Sequence, residues 1–411
     1  MRLPEVVLGE RQLKITRPLM SGTDVRHLQQ ALKDLGFYND RIDGIYGINT
    51  DRAFRRFKKY LKEEDNEKVI ETLKNYEKYG IGFWRTFHGD FSNTGYFPFK
   101  IRDQLNTVFL KNIININSMA VYKKLLFVSG DDFVICLDAK NGEVLWYNNK
   151  INPRFPITAN PDYIIIPDEG IILLEPFSGR MVERIDLKNP VYGSAVYYLG
   201  KIFFAEGKGS IIGYKPAKGI VWEFNTDGAY STPPALYGEN LFFASYDRNV
   251  YCLDLKGEVI WKTKIYDYII EPLFVLETFA FALGEEKLYA FDSFTGQVLW
   301  IKVLPERDFI TNCLAGNILY IVTTAGNLFI LNKFKGDFEG IITLKEKPNK
   351  LLFGNGEKLF IGSQNGLLVY AVSESGVFLK EEYLKGHNIK AVAFSGKTLF
   401  AATEKGLFAL S

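Results

Sequence analysis

Cysteine and histidine are both scarce in this chain, with three of each among 411 residues. Cys136, Cys252 and Cys313 stand far apart, so neither a disulfide-stapled scaffold nor a His/Cys zinc site is expected. Cys136 and Cys252 each directly precede a Leu-Asp, where Ala290 stands in a third copy of the same pattern. Both are therefore expected to be small buried residues. An excess of one charge is missing too. Lys and Arg number 50 against 48 Asp and Glu, a net charge of +2, so no global field draws the chain to nucleic acid or acidic lipid. No apolar run approaches the roughly 20 residues of a transmembrane helix. Residues 1–10 lack the apolar core of a signal peptide, so either an export signal was removed or the general export route is not used.

What the chain does have is a repeat. Leu137-Asp138-Ala139-Lys140-Asn141-Gly142-Glu143-Val144-Leu145-Trp146 recurs as Leu253-Asp254-Leu255-Lys256-Gly257-Glu258-Val259-Ile260-Trp261 and as Phe291-Asp292-Ser293-Phe294-Thr295-Gly296-Gln297-Val298-Leu299-Trp300. In each copy Asp opens a turn, a Gly four residues before the Trp accepts a positive φ, and apolar runs flank the turn; this is a β-hairpin. Another apolar run precedes each hairpin, at 125–128, 241–244 and 279–282, and weaker copies lie at 163–166, 201–204, 318–321, 358–361 and 398–401. A period of about 40 residues means four short strands per unit and a β-propeller.

Boundaries between units are expected near residues 150, 188, 228, 267, 307, 346 and 386. The last copy ends at Ser411 without its final strand, and residues 105–111 are expected to supply it, because an open edge invites pairing. That gives about eight blades. Seven stays open, since Glu183 and Gly340 stand where two copies lack the Trp. Trp146, Trp222, Trp261 and Trp300 are expected to dock between neighbouring blades, each with one partner for its N–H.

The first eighty residues follow a helical pattern. Thr23 or Asp24 is a natural N-cap, Val25, Leu28, Leu32 and Leu35 fall at helical spacing, and Gly36 ends the run. A Gly-rich loop from Phe37 to Gly47 leads to a second helix, capped by Asn49 or Thr50, with Ala53, Phe54 and Phe57 on its apolar face. Asp65 or Asn66 caps a third helix through Val69, Ile70, Leu73 and Tyr76, reaching about Tyr79. Arg52, Arg55, Arg56, Lys58, Lys59 and Lys62 read first as a solvated basic face. Gly80-Ile81-Gly82 is the expected junction between a domain at 1–80 and a second at 81–411.

Two resemblances follow from these residues. The repeat resembles the quinoprotein-type (PQQ-like) repeat, whose pattern ends in Asp, Thr-Gly and Trp, from about Phe83 to the C-terminus. Trp84, Gly89-Asp90 and Thr94-Gly95 resemble the lead-in of the same family, expected to pack under the propeller, with His88 a structural residue. Gly22-x-Asp24-Val25-x-x-Leu28-Gln29-x-x-Leu32-x-x-Leu35-Gly36 and Asp43-Gly44-x-Tyr46-Gly47-x-x-Thr50-x-x-Ala53-Phe54-x-x-Phe57 resemble the small three-helix peptidoglycan-binding domain found beside many bacterial cell-wall hydrolases. That likeness covers about residues 13–62. Lys58 stands where that family usually has Gln.

The second resemblance implies peptidoglycan as a partner, and Tyr38, Arg41, Asp43, Tyr46 and Thr50 are the expected contacts, since sugars present both apolar faces and hydroxyls. In the propeller, Ser118, Thr158, Ser194, Thr232, Glu271 and Asn312 are placed near the axis. Tyr192, Tyr230 and Tyr268 are expected to form a recognition rim beside them for an unidentified protein partner.

Quinoprotein dehydrogenases of this fold hold Ca²⁺ beside the quinone with acidic and amide ligands, use an Asp base, and in many cases cover the ring with adjacent cysteines. Here there is no Cys-Cys pair, and the axial set offers one acid, Glu271, and one amide, Asn312. No catalytic residue, metal or cofactor is expected. A related propeller serves as an outer-membrane assembly lipoprotein, but no lipid-bearing N-terminal Cys is present, so that role is not expected. The expectation is a non-catalytic cell-envelope scaffold, enveloped or secreted, anchored to peptidoglycan by its N-terminal domain, with no nucleic-acid partner and no transmembrane segment. The alternatives are a cytoplasmic protein-interaction propeller with a repurposed helical domain and, less favoured, a quinone-dependent dehydrogenase.

Overall fold

The computed structural model describes residues 4–74 and 89–411, apart from positions 35, 36, 39, 62, 91, 96, 98–100, 270, 277, 307, 308, 316, 374 and 375. The expectations for Leu35 and Gly36, for Tyr76 to Tyr79, for the junction at Gly80-Ile81-Gly82 and for Trp84 to His88 lie outside the described residues.

Three helices open the chain: α1 (Thr23–Asp34), α2 (Ile48–Leu61) and α3 (Asn66–Lys74). Val25, Leu28 and Leu32 of α1 meet Ala53, Phe54 and Phe57 of α2 and Val69, Ile70 and Leu73 of α3 in one buried core. Each helix thus buries one apolar stripe against the other two. The cap of α3 is as expected, with Asp65 accepting the Glu67 N–H at 2.9 Å. The other caps differ. Thr23 is tied to the N-terminal arm, exchanging bonds of 2.7 and 2.8 Å with the Val6 backbone, and buried Asp24 holds Arg11 through two N–H···O bonds of 2.7 and 2.8 Å. Helix α2 starts before its expected caps, with the Asp51 N–H on the Gly47 carbonyl at 3.0 Å. Lys58 donates to Asn66 Oδ1 at 2.8 Å and so joins α2 to α3.

The rest is an eight-bladed propeller of four-stranded antiparallel sheets. Blades 1 to 7 span 116–148, 158–185, 191–224, 235–264, 274–303, 309–343 and 348–383, and blade 8 combines 389–410 with the strand Thr107–Lys111. Every expected boundary falls in a gap between blades, and the expected donor strand closes the ring. Phe109 pairs with Ala409, and Asn106 and Ser411 exchange backbone bonds of 2.9 and 3.0 Å beyond it. Among the described residues no helix is long and apolar enough to cross a membrane.

The repeat motif is explained by contacts between blades. Asp138, Asp254 and Asp292 each accept two backbone N–H groups of their own turn at 2.8–3.2 Å, and Gly142, Gly257 and Gly296 adopt φ of +70°, +85° and +72°. The aromatic ring that covers each of these glycines comes from the preceding blade. Trp222 lies over Gly257 and Trp261 over Gly296, at 2.7 and 2.5 Å from where a Cβ would stand. Their indole N–H groups donate to the Leu255 and Ser293 carbonyls of the same turns at 3.1 and 3.0 Å. Trp146 and Trp300 do likewise with Pro176 and Lys333, at 2.9 and 3.0 Å. At the ring closure Phe109 takes the tryptophan's place over Gly142.

The residue paired with each tryptophan on the adjacent strand is small: Cys136, Gly213, Cys252 or Ala290. That is why two of the three cysteines stand where they do. Burial, reinforced by Asp138, pushes the Cys136 thiol up to about 12.

Candidate functional site

The two ends of a propeller differ by topology. In an up-and-down blade the inner strand begins, and the second strand ends, at one end of the channel. Connections between blades therefore share that end with the turns between second and third strands. At this end the structure assembles a line of aromatic rings.

Phe155 lies in the connection from blade 1 to blade 2, Tyr192 at the start of blade 3, and Tyr230 and Tyr268 in the connections into blades 4 and 5. Ring centroids are 6.4 Å apart for Phe155 and Tyr192, and 5.4 Å for Tyr192 and Tyr230. Tyr246, from the central turn of blade 4, bridges Tyr230 at 5.0 Å and Tyr268 at 5.3 Å. Arg248 ends the line: its guanidinium sits 4.8 Å from the Tyr268 ring centroid and donates to the phenol oxygen at 2.9 Å. These edge-to-face contacts align the negative face of one ring with the positive edge of the next.

Tyr192 and Tyr246 are 36% and 40% exposed, while Tyr230 is half-buried between them. Burial pushes the Tyr230 phenol up to about 12, helped by the charges of Glu271, Tyr246 and Tyr192. The sequence-expected rim of Tyr192, Tyr230 and Tyr268 is thus one surface. Its linkers, Phe155, Tyr246 and Arg248, were missed. Tyr246 follows the second strand of blade 4, Asn240–Ser245, where Gly130 closes that of blade 1, and that departure from the repeat was the available signal.

The expected axial ring resolves differently. Ser118 and Thr158 lie on inner strands but serve as stitches between blades. The Ile157 N–H donates to Ser118 Oγ at 3.1 Å, and the Thr158 hydroxyl donates to the Ala195 carbonyl at 2.6 Å. Thr232 is fully buried and accepts the Ala244 N–H at 3.0 Å. These three are corrected from channel-lining groups to structural hydrogen-bonding groups. Ser194 is half-buried on the inner strand of blade 3. Glu271 lies in the connection into blade 5, and its charge helps raise the Tyr230 phenol.

Asn312 is buried on the inner strand of blade 6, beside the lead-in segment. That segment packs under the propeller as expected, as a strap across the other end of the channel. Ser92 bonds the inner strands of blades 4 and 5, Thr94 that of blade 6 and Gly95 that of blade 7, at 2.8–3.0 Å. Phe97 then stacks on Phe394 of blade 8 at 4.2 Å. Glu271 and Asn312, the acid and amide a quinone–calcium pair would need, thus sit in different surroundings and do not fit one. Among the described residues no group of His, Cys, Asp and Glu side chains converges to hold a metal ion.

In the helical domain the expected sugar contacts divide. Tyr38, Tyr46 and Thr50 are buried, at 4%, 1% and 1% exposure. Tyr38 and Thr50 flank Gln29, whose Nε2 lies 3.0 Å from their oxygens and 2.9 Å from Asp43 Oδ1, while its Oε1 accepts the Gly44 N–H at 2.8 Å. Tyr46 donates to Asp51. These three residues are corrected from ligand contacts to the internal brace of the loop. Arg41 and Asp43 stay exposed. The domain meets the propeller at the strap end, where Arg56 lies 3.7 Å from Glu239 in the first turn of blade 4.

Residues 117–411 match the family described as outer membrane protein assembly factor BamB, and residues 21–62 match the putative peptidoglycan binding domain. The outer membrane protein assembly factor BamB of Nitrosomonas eutropha is 23% identical over 159 residues, 36% of this chain and 38% of that protein. The N-acetylmuramoyl-L-alanine amidase CwlL of Bacillus licheniformis is 48% identical over 50 residues, 11% of this chain and 14% of that protein. The chain thus spans less than half the length of either relative. The crystal structure of BamB from Moraxella catarrhalis superposes with a TM-score of 0.61 at 15% identity, covering 75% of this chain and 99% of that one. At such identity the likeness is one of fold.

Proposed function

Because the chain belongs to the family described as outer membrane protein assembly factor BamB and carries a peptidoglycan-binding segment ahead of its propeller, we propose that it is a non-catalytic protein of the cell envelope. The helical domain holds it to peptidoglycan, and the tyrosine line presents a docking surface to a protein partner. The observation that carries this reading is the fusion itself: a wall-type domain meets one end of the ring through Arg56 and Glu239, while the tyrosines occupy the other. Anchor and docking surface then act without competing. Tyrosine suits such a surface because it offers a large, stiff contact with a polar tip at low conformational cost. A non-catalytic role accords with thiols that are buried and held protonated, and with acids engaged by structural partners.

Co-sedimentation with purified peptidoglycan sacculi tests the anchor. The whole chain is expected to pellet at low and at moderate salt, and a chain beginning at residue 89 is expected to stay in solution. Pelleting that vanishes at moderate salt assigns the attraction to the basic face of α2. If the whole chain does not pellet at all, the wall reading fails.

A further inference from the structure

A second feature of the helical domain is not used by its internal brace. A groove of about 690 Å³ opens between the N-terminal arm, α2 and α3. Its floor is apolar, made of buried Leu13, Phe54 and Ile70, and its rim carries charges of both signs, Lys74 against Glu67 and Glu71. The arm is fixed over the helices by the Arg11–Asp24 pair and by the Thr23–Val6 bonds, so the groove is built by ordered parts. Gly9, at φ +95°, leaves room for the Lys74 ammonium, which lies at the rim 2.7 Å from where a Cβ would stand. Of the lining residues only Phe54 falls within the segment that matches the peptidoglycan-binding family. The groove is therefore formed by the parts of this chain that flank that segment.

We propose that this groove binds the stem peptide of peptidoglycan rather than its glycan strand. The inference rests on the wall-binding reading and names the moiety bound. A sugar platform needs an exposed aromatic face, and among the described lining residues the one aromatic, Phe54, is 4% exposed and belongs to the core. A stem peptide carries what this groove complements: alanine methyl groups for the apolar floor, free carboxylates for Lys74, and the ammonium of the diamino acid for Glu67 and Glu71. Charges of both signs within one groove fix the direction of a zwitterionic chain, and they reject a neutral oligosaccharide that cannot satisfy them.

The test uses the full chain, a soluble stem tetrapeptide containing a diamino acid, and a tetramer of N-acetylglucosamine. Affinity for each is read by calorimetry, and competition by sacculus pelleting. The tetrapeptide is expected to bind and to compete, and the sugar tetramer to do neither. Lys74→Glu, at an exposed position, is expected to weaken peptide binding about tenfold, the loss of roughly one charge-assisted contact, with an unchanged circular dichroism spectrum. Glu71→Lys gives a second variant at the opposite rim with the same expectation. Pelleting that the sugar competes for and neither variant alters overturns the groove assignment and leaves the wall reading standing. A full chain that binds neither sacculi nor peptide overturns both.

Discussion

Gly179, Gly257, Gly296 and Gly336 each lie under the tryptophan of the preceding blade rather than the residue that follows in their own hairpin. Gly296 has a φ of +72° and carries Trp261 from the preceding blade at 2.5 Å from a would-be Cβ. Gly219, three residues before Trp222 at the start of its outer strand, has a φ of +83° with nothing within 4 Å of a would-be Cβ. Both Gly→Ala changes bring backbone strain of roughly 1–2 kcal/mol, but Gly296→Ala also displaces an indole and adds about 1–3 kcal/mol of overpacking. Urea unfolding should therefore show the larger loss for Gly296→Ala; equal losses would mean that the stacking is not tight.

Tyr230 yields a prediction about pH. Its phenol ordinarily titrates near 10.0 and is raised to about 12 in the folded protein, first by burial and then by Glu271, Tyr246 and Tyr192. Between those values the folded state keeps a proton that the unfolded state releases. Its contribution to stability is thus complete below pH 10 and declines as pH rises towards 12. In a spectrophotometric titration Tyr230→Phe should reduce the ionisation near 12, to which Tyr289 and Tyr383 also contribute, by one tyrosine's share. An unchanged upper limb would show that Tyr230 is not the enclosed member of the line.

Among elements, the outer strand departs most from what its sequence alone conveys. Val144, Leu145, Val259 and Ile260 read as a buried apolar run, yet they are 52%, 47%, 48% and 45% exposed. A β-bulge recurs just before each tryptophan, between Cys136 and Leu137, and again between Cys252 and Leu253, on the paired strand. One extra residue there turns the indole towards the next blade and leaves its neighbours outside. Alternation does not announce a bulge, because the residue it inserts is itself apolar.

The closing strand obeys the same rule. Phe109 substitutes for the tryptophan over Gly142, while Val108 beside it is 51% exposed. Phe109→Ala should cost roughly 2–3 kcal/mol, below the range for a fully buried Phe because the ring is only half-buried, and Val108→Ala should fall within about 0.5 kcal/mol. Thermal unfolding of the two variants distinguishes them, and similar midpoints would mean that ring closure does not depend on this packing.

At the scale of the molecule, the repeat period, the missing final strand and the helical spacing of the first eighty residues pointed to about eight blades with seven left open, to their boundaries, to the donor strand and to the three helices; the structure settled the count at eight. These follow from local rules: turn chemistry, apolar periodicity and the need to pair every edge. Which polar residues face solvent was decided only by the tertiary structure. Tyr38, Tyr46 and Thr50 look like ligand groups in and beside a loop, but Gln29 in α1 meets Tyr38, Thr50 and the Gly44 N–H, and Asp51 meets Tyr46. Thr158 and Thr232 look like channel groups, but neighbouring backbone meets them first. Tyr246 joins the tyrosine line because a turn in blade 4 ends beside the connections into blades 4 and 5. The strap crosses four blades because its backbone finds partners more than a hundred residues away. A polar side chain takes whichever donor or acceptor the fold brings within 3 Å, and that neighbour is set by contacts between distant segments. Sequence determined the elements of this protein; tertiary structure decided which of its polar groups are available to a ligand.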